Sequence, residues 1–169
     1  QRESTREYFM SSPHIDCEYN NIHYHLTIVG CFVYPQGYAA VTEHLHNMTG
    51  VNMVVDIGNG TANILQINNK KPIEEKCATE KLGVNQYMIA VQKAVMAAYG
   101  KKIDPEVVEH FIRNGDTNVS DNYKNIFREE AEKYCRKIFD ALYRCEYDPD
   151  FMKLYVCGGG VQLIRRFGK

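Results

Sequence analysis

The chain has 169 residues, 44% of them apolar, and a formal net charge of -1. That length bounds it to one domain, or one domain and part of another, with enough apolar residues for a real core. The charge balance leaves no electrostatic footprint for nucleic acid, no apolar run reaches membrane-spanning length, and the first residues form no signal peptide.

Gln1 to Pro13 reads as a helix end or a loose lead-in, with Arg2, Glu3, Arg6 and Glu7 solvated. Ile15 to Tyr19 and Ile22 to Val29 form a predicted hairpin about Asn20-Asn21. In its second strand Tyr24, Leu26 and Ile28 share one face, and His23 and His25 the other. Two His at i, i+2 could bind a metal, but without a third ligand nearby they read as a surface pair. Cys31 to Tyr34 is predicted as a further short strand. Pro35-Gln36-Gly37 ends it and opens a helix through about His46, with Tyr38, Val41 and Leu45 on one stripe. Gln36 therefore sits at a strand-to-helix junction, where a side chain reaches a cleft; a plain polar loop residue is the alternative.

The central unit is a hairpin from Val51 to Ile67. The apolar run Val51-Asn52-Met53-Val54-Val55 leads into the turn Asp56-Ile57-Gly58-Asn59-Gly60-Thr61, and Ala62 to Ile67 leads out. Gly58 and Gly60 let a ligand approach backbone N–H groups, and Asp56 at the strand end could face a metal-bound water. An ordinary tight hairpin would use the same turn residues. Asn68-Asn69-Lys70-Lys71 closes the unit, and Lys76 to Thr79 adds a third, shorter strand. A helix from about Gly83 to Tyr99 carries Val84, Met88, Val91, Val95 and Ala98 on one face, with Gly100 beyond its end. Asp104-Pro105-Glu106 caps a second helix that stops near Gly115. Asp121 caps the longest, from about Tyr123 to Tyr147, whose apolar stripe reads as core. Asp148-Pro149-Asp150 breaks the chain. Lys153 to Cys157 is a buried strand that runs into Gly158-Gly159-Gly160, where a flat ligand or a phosphate can lie against bare backbone. Val161 opens a last helix. The cysteines (Cys17, Cys31, Cys77, Cys135, Cys145, Cys157) form no CxxC pair and suit a reducing cytoplasm.

The order of these pieces is more specific than any one of them. A strand–Gln–helix precedes an Asp-x-Gly-x-Gly-Thr hairpin; helices follow, then a strand ending in Gly-Gly-Gly. This resembles the actin-like ATPase superfamily, whose fold is an α/β, ribonuclease H-like domain with a mixed sheet flanked by helices. In that superfamily the Asp-Gly hairpin is the second phosphate loop, and the late Gly-Gly-Gly is the adenosine motif. Phe32-Val33-Tyr34-Pro35-Gln36-Gly37-Tyr38-Ala39-Ala40 looks like the actin segment whose glutamine positions the attacking water. Leu82-Gly83-Val84, with Tyr155 to Leu163 later, looks most like plasmid-segregation ATPases of the ParM/StbA type.

The resemblance implies ATP (or GTP) with Mg²⁺ as ligands. It implies Gln36 and Asp56 as catalytic residues, with Asp56 reaching the metal through water. Gly58, Asn59, Gly60, Thr61 and Asn63 would bind phosphate, and Gly158, Gly159 and Gly160 adenosine. It implies filaments by self-association, a DNA-bound adaptor protein, no direct contact with nucleic acid or membrane, and a cytoplasmic protein encoded by a bacterium, plasmid or phage. Residues 1–36 would be the tail of domain I, 37–50 an interdomain connector helix, and 51–169 domain II, incomplete at its C-terminus. The chain opens on Gln1 and is expected to be a fragment, inactive alone. Two departures matter: where many members carry an acid, this chain has Asn63, which can orient a water but cannot act as a base, and no Asp-x-Gly loop of the first-phosphate type lies upstream of the hairpin. A small-molecule kinase of the same superfamily and a non-enzymatic orphan domain are the alternatives.

Overall fold

A computed structural model describes residues 2–168. They divide into two compact units, Gln1–Pro35 and Gln36–Lys169. The first holds helix α1 (Arg2–Ser11) and an antiparallel hairpin, β1 (His14–Tyr19) and β2 (Ile22–Thr27). Its turn residues Asn20 and Asn21 both take positive φ, 52° and 60°, as a two-residue turn matched to strand twist demands. Across the strands His25 pairs with Asp16 and His23 with Glu18. The two histidines are thus engaged with carboxylates, and no group of three metal-ligating side chains forms among the described residues. The strand expected at Cys31–Tyr34 is absent: the segment takes no regular secondary structure, and Phe32 is 85% exposed. A strand needs a neighbour to take its N–H and C=O groups, and no described strand pairs with this one.

The second unit is built on a four-stranded mixed sheet in the order β5-β4-β3-β6. β3 (Val51–Ile57) and β4 (Ala62–Asn68) are the predicted hairpin, and β5 (Lys71–Glu80) continues it as a meander. β5 is longer than the expected Lys76–Thr79. The polar Asn68–Lys71 stretch does not end the unit but turns it, with Asn69 and Lys70 at φ 45° and 73°. Pro72, Glu74 and Glu75 disguise the strand in sequence; a sheet tolerates them here because β5 lies at its edge. β6 (Lys153–Gly158) pairs in parallel with β3, from Asn52↔Lys153 to Ile57↔Gly158.

β3 and β4 are apolar on both faces because both faces are covered. Met53, Val55, Ile57, Ala62 and Ile64 pack against α2 (Val84–Tyr99), α4 (Asp121–Arg144) and α5 (Val161–Phe167), through Tyr87, Val91, Phe127, Ile138, Leu142 and Leu163. On the opposite face Val54, Leu65 and Ile67 pack with Val41 and Met48. Val41 belongs to a 3-10 helix, Ala39–Asn47, that follows Gln36. Its tight winding shows in the Val41 N–H to Tyr38 O bond of 3.2 Å and the Met48 N–H to Leu45 O bond of 3.1 Å. Tyr38 and Leu45 pack beside Val41, as the stripe predicts.

The helix boundaries largely follow their signals. Gly100 and Gly115 end α2 and α3 (Pro105–Asn114) in the left-handed region. Asp104 accepts from the Glu106 N–H at 2.9 Å. The cap of α4 is one residue off: Ser120 is the N-cap and Asp121 is already helical. The Asp121 carboxylate still lies in the first turn, where the helix dipole favours it. No helix among the described residues is long and apolar enough to cross a membrane.

All six cysteines are free thiols. Burial raises the Cys135 thiol from 9.0 to about 12. Burial, followed by the Asp56 carboxylate beside it, raises Cys157 to about 11. The folded chain therefore holds these protons after the unfolded chain has released them. Their contribution to stability is complete below pH about 9 and is lost as pH rises through about 11 for Cys157 and about 12 for Cys135. In the native chain at pH 8, iodoacetamide should modify the exposed Cys17 and spare Cys135 and Cys157, as read by peptide mass spectrometry; equal labelling of all three would contradict this burial.

Candidate functional site

β3 and β6 run in parallel and end side by side at Ile57 and Gly158. In open α/β sheets, ligands bind beyond such carboxyl ends. From β3 the chain turns back through Gly58–Thr61, closed by a Gly58 N–H to Thr61 O bond of 2.8 Å. The first turn of α2 then locks the loop from behind. The N–H groups of Gly83, Val84 and Asn85 donate to the carbonyls of Gly60, Gly58 and Asn59 at 3.3, 3.0 and 3.0 Å.

This locking has a geometric consequence. In a trans peptide the C=O and the following N–H point in opposite directions. With the carbonyls of Gly58, Asn59 and Gly60 aimed at α2, the N–H groups of Asn59, Gly60 and Thr61 aim away from it. Three successive N–H groups on one side of a turn form a concavity for an anion. The approach is so close that a Cβ on Gly83 would lie 2.2 Å from the Asn59 carbonyl oxygen.

The Gly-rich end of β6 sits against the same strand end. Gly158 has φ +83°, and a Cβ there would lie 2.6 Å from Asp56 Oδ1. Gly160 is buried, and its N–H donates to the Ile57 carbonyl at 3.2 Å. Gly159 is different: a Cβ there would meet nothing closer than 3.9 Å. It borders a cleft of about 350 Å³ that it shares with Asn59, Val84, Met88, Glu109, Ile112 and Arg113. The α3 pair Glu109 and Arg113, linked at 2.9 Å, and Met88 of α2 are cleft residues that the sequence reading missed. Their only sequence signal is an acid and a base at i, i+4 on an amphipathic helix, which most surface helices share. A larger groove of about 660 Å³ lies between α2 and the segment that follows it, lined by Ile89, Met96 and Ile103 among others, and no residue of the Gly58–Thr61 loop or of Gly158–Gly160 lines it.

On the face away from the large core, four side chains form a row across the sheet. Cys157, Asp56, Asn63 and Thr79 are successive partners on β6, β3, β4 and β5. Asn63 is 8% exposed. Its Oδ1 accepts from the Thr79 hydroxyl at 2.8 Å, while its Nδ2 is buried without a partner. Gln36 reaches this end through Gly37, which takes φ +89° and packs on Asp56: a Cβ on Gly37 would lie 2.9 Å from the Asp56 Cβ. Gln36 itself is exposed. The structure thus gathers the Asp56–Asn63 strand ends, the Gly58–Thr61 loop, Gly158–Gly160 and Gln36 at one edge of the second unit. The arrangement supplies backbone donors, one carboxylate and the three amide side chains of Gln36, Asn59 and Asn63, which suits holding and orienting a phosphate and a water.

The family model for archaeal MreB-like actin homologues, C-terminal part, matches residues 54–167. No curated protein sequence matches the chain. Among solved structures, the archaeal actin homologue Ta0583 in complex with ADP is similar, with a TM-score of 0.65 and 19% identity over 86% of this chain and 51% of that one. A non-polymerisable quadruple mutant of pCBH ParM gives a TM-score of 0.63 at 16% identity, over 88% of this chain and 50% of that one. ParM of Bacillus thuringiensis with ATP gives 0.51 at 18% identity, over 69% and 37%. The chain spans about half the length of the first two.

Proposed function

Because the chain belongs to the family of archaeal MreB-like actin homologues, whose C-terminal part its residues 54–167 match, we propose that it is the nucleotide-binding half of an actin-like ATPase. The observation that carries this reading is the loop locked by α2, whose outward N–H groups lie at the parallel strand ends beside a cleft that Gly159 leaves open. In this reading residues 1–36 are the tail of the first actin-like domain, 37–50 the connector, and 51–169 the second domain.

Bound Mg-ATP supplies the phosphoryl group and part of the charge neutralisation. The donor set fits it. A single carboxylate, Asp56, suits Mg²⁺, which keeps several waters and takes further ligands from phosphate. The N–H groups of Asn59, Gly60 and Thr61, with the Thr61 hydroxyl, hold phosphate oxygens. Gly159 gives adenosine a backbone wall, held against the end of β3 by Gly158 and Gly160, and Met88, Glu109 and Arg113 form the opposite side. Asp56 and Gln36 orient a water for in-line attack, with Asn63 as a further polar contact. Such a site works by positioning and electrostatics and needs no covalent nucleophile.

Assembly extends the proposal. Similar structures include a ParM described as a non-polymerisable mutant. Head-to-tail association through a heterologous contact builds an open filament rather than a closed ring. We assign such a filament, moved by ATP and linked to DNA by an adaptor, to the intact protein.

The test uses Gly159→Val in the intact protein. A side chain at Gly159 enters the cleft without striking backbone. Affinity for a fluorescent ATP analogue should fall about tenfold or more, because a branched side chain then occupies ligand space. The urea midpoint should stay with wild type, and wild type should scatter more light after Mg-ATP is added. Undiminished affinity in Gly159→Val would remove adenosine from this cleft.

A further inference from the structure

The row Cys157–Asp56–Asn63–Thr79 holds an asymmetry that the phosphate loop does not explain. Asn63 is more than nine-tenths buried, and its amide has two different neighbours. On one side stands the Thr79 hydroxyl, bonded to Asn63 Oδ1 at 2.8 Å. On the other stands the Asp56 carboxylate, which when ionised only accepts. Only one amide orientation avoids setting Asn63 Oδ1 against that carboxylate, and it leaves Nδ2 as a buried donor with no protein partner. A buried donor of this kind is costly unless something accepts from it. Directly opposed side chains on antiparallel strands stand with Cβ atoms about 4.5–5.5 Å apart, so one small molecule can touch both.

We infer that Thr79 is a positioning residue: its hydroxyl fixes the Asn63 amide so that Nδ2 and the Asp56 carboxylate together hold one water, the first donating to it and the second accepting from it. The inference rests on the ATPase reading for what that water does. A water held by one donor and one acceptor has its lone pair and its proton assigned. Its second lone pair is then free for a phosphorus atom, and its proton faces Asp56. Without the Thr79 bond the amide keeps only the Asp56 carboxylate to align it, turns more freely, and spoils the orientation. Thr79 touches neither phosphate nor water. It acts through Asn63, from edge strand β5, where it is itself exposed and replaceable at little cost to the fold.

The experiment compares Thr79→Val, which keeps the branched shape and removes the hydroxyl, with Thr79→Ser, which keeps the hydroxyl. In the intact protein with Mg-ATP, kcat for phosphate release should fall about tenfold in Thr79→Val, with KM within about twofold of wild type, because only water orientation is lost. Thr79→Ser should restore kcat. The second readout needs no turnover: the Asn63 side-chain amide signal of the ¹⁵N-labelled chain, identified by its loss in Asn63→Ser. In Thr79→Val this signal should shift and its protons exchange faster with solvent; in Thr79→Ser it should match wild type. An unchanged amide signal in Thr79→Val, or a kcat loss that Thr79→Ser shares in full, would overturn the positioning role. If wild type releases no phosphate, the ATPase reading fails, and the amide signal alone then decides whether Thr79 fixes Asn63.

Discussion

Replacing Asp56 with alanine in the intact protein should cut ATP-dependent phosphate release by about 10²–10³-fold, the range seen when one group that stabilises or orients the reacting centre is removed. Asp56 is the one carboxylate at the joined ends of β3 and β6, beside Asn63, Cys157 and the Gly37 backbone that carries Gln36. No ion pair ties it down among the described residues, and it is only partly buried, so its loss should cost the fold little. The Cys157 thiol, relieved of the neighbouring negative charge, should ionise more easily. Phosphate release and urea midpoint measured on the same preparation separate the two effects. Turnover within a factor of three of wild type would take Asp56 out of the chemistry, while a collapsed midpoint would make it a structural residue.

Gly83→Ala should be the most damaging single-atom-scale change in the sheet unit. The added Cβ would lie 2.2 Å from Asn59 O, 2.4 Å from Asn59 C and 2.4 Å from Gly60 C. All three are backbone atoms, so no side chain can swing aside. The loop must move off α2, and three N–H to carbonyl bonds stretch or break with it. A loss of about 3–5 kcal/mol is expected, at the severe end for point substitutions. For a domain holding about 5–15 kcal/mol in total, that is close to unfolding. Gly60→Ala on the same loop is the control, since a Cβ there meets nothing within 4 Å. Urea denaturation of both variants checks the contrast. If Gly83→Ala lies within about 1 kcal/mol of Gly60→Ala, the contact between loop and helix is softer than this geometry requires.

Much of this architecture is legible in the chain itself. Gly100, Gly115 and the Asp104-Pro105 cap work locally, through φ or a single side-chain bond, so the chain alone announces them. The hairpin Val51–Ile67 and the strand before Gly158 declare themselves by their apolar runs. What sequence hid depends on neighbours. β5 looks too polar for a strand because its polar residues follow from its edge position, which is a property of the sheet. Cys31–Tyr34 looks like a strand because its residues favour one, but propensity cannot supply a pairing partner. Glu109 and Arg113 become cleft residues only once α3 lies over Gly159. The Asn63–Thr79 bond needs the register of β5, which a bulge between Leu65 and Ile67 resets beyond the reach of any pattern.

The two walls of the cleft also differ in how far apart in the chain their partners lie. The Gly58–Thr61 loop belongs to a meander whose strands are joined by turns of a few residues, so it closes through local contacts. The Gly158–Gly160 wall joins only when β6 finds β3 across about a hundred intervening residues, in parallel register. Loop closure of that length is slow and repays its entropy late. The Gly58–Thr61 loop therefore needs only contacts near in sequence, whereas the Gly158–Gly160 wall beside it waits on a long-range pairing and is expected to form later.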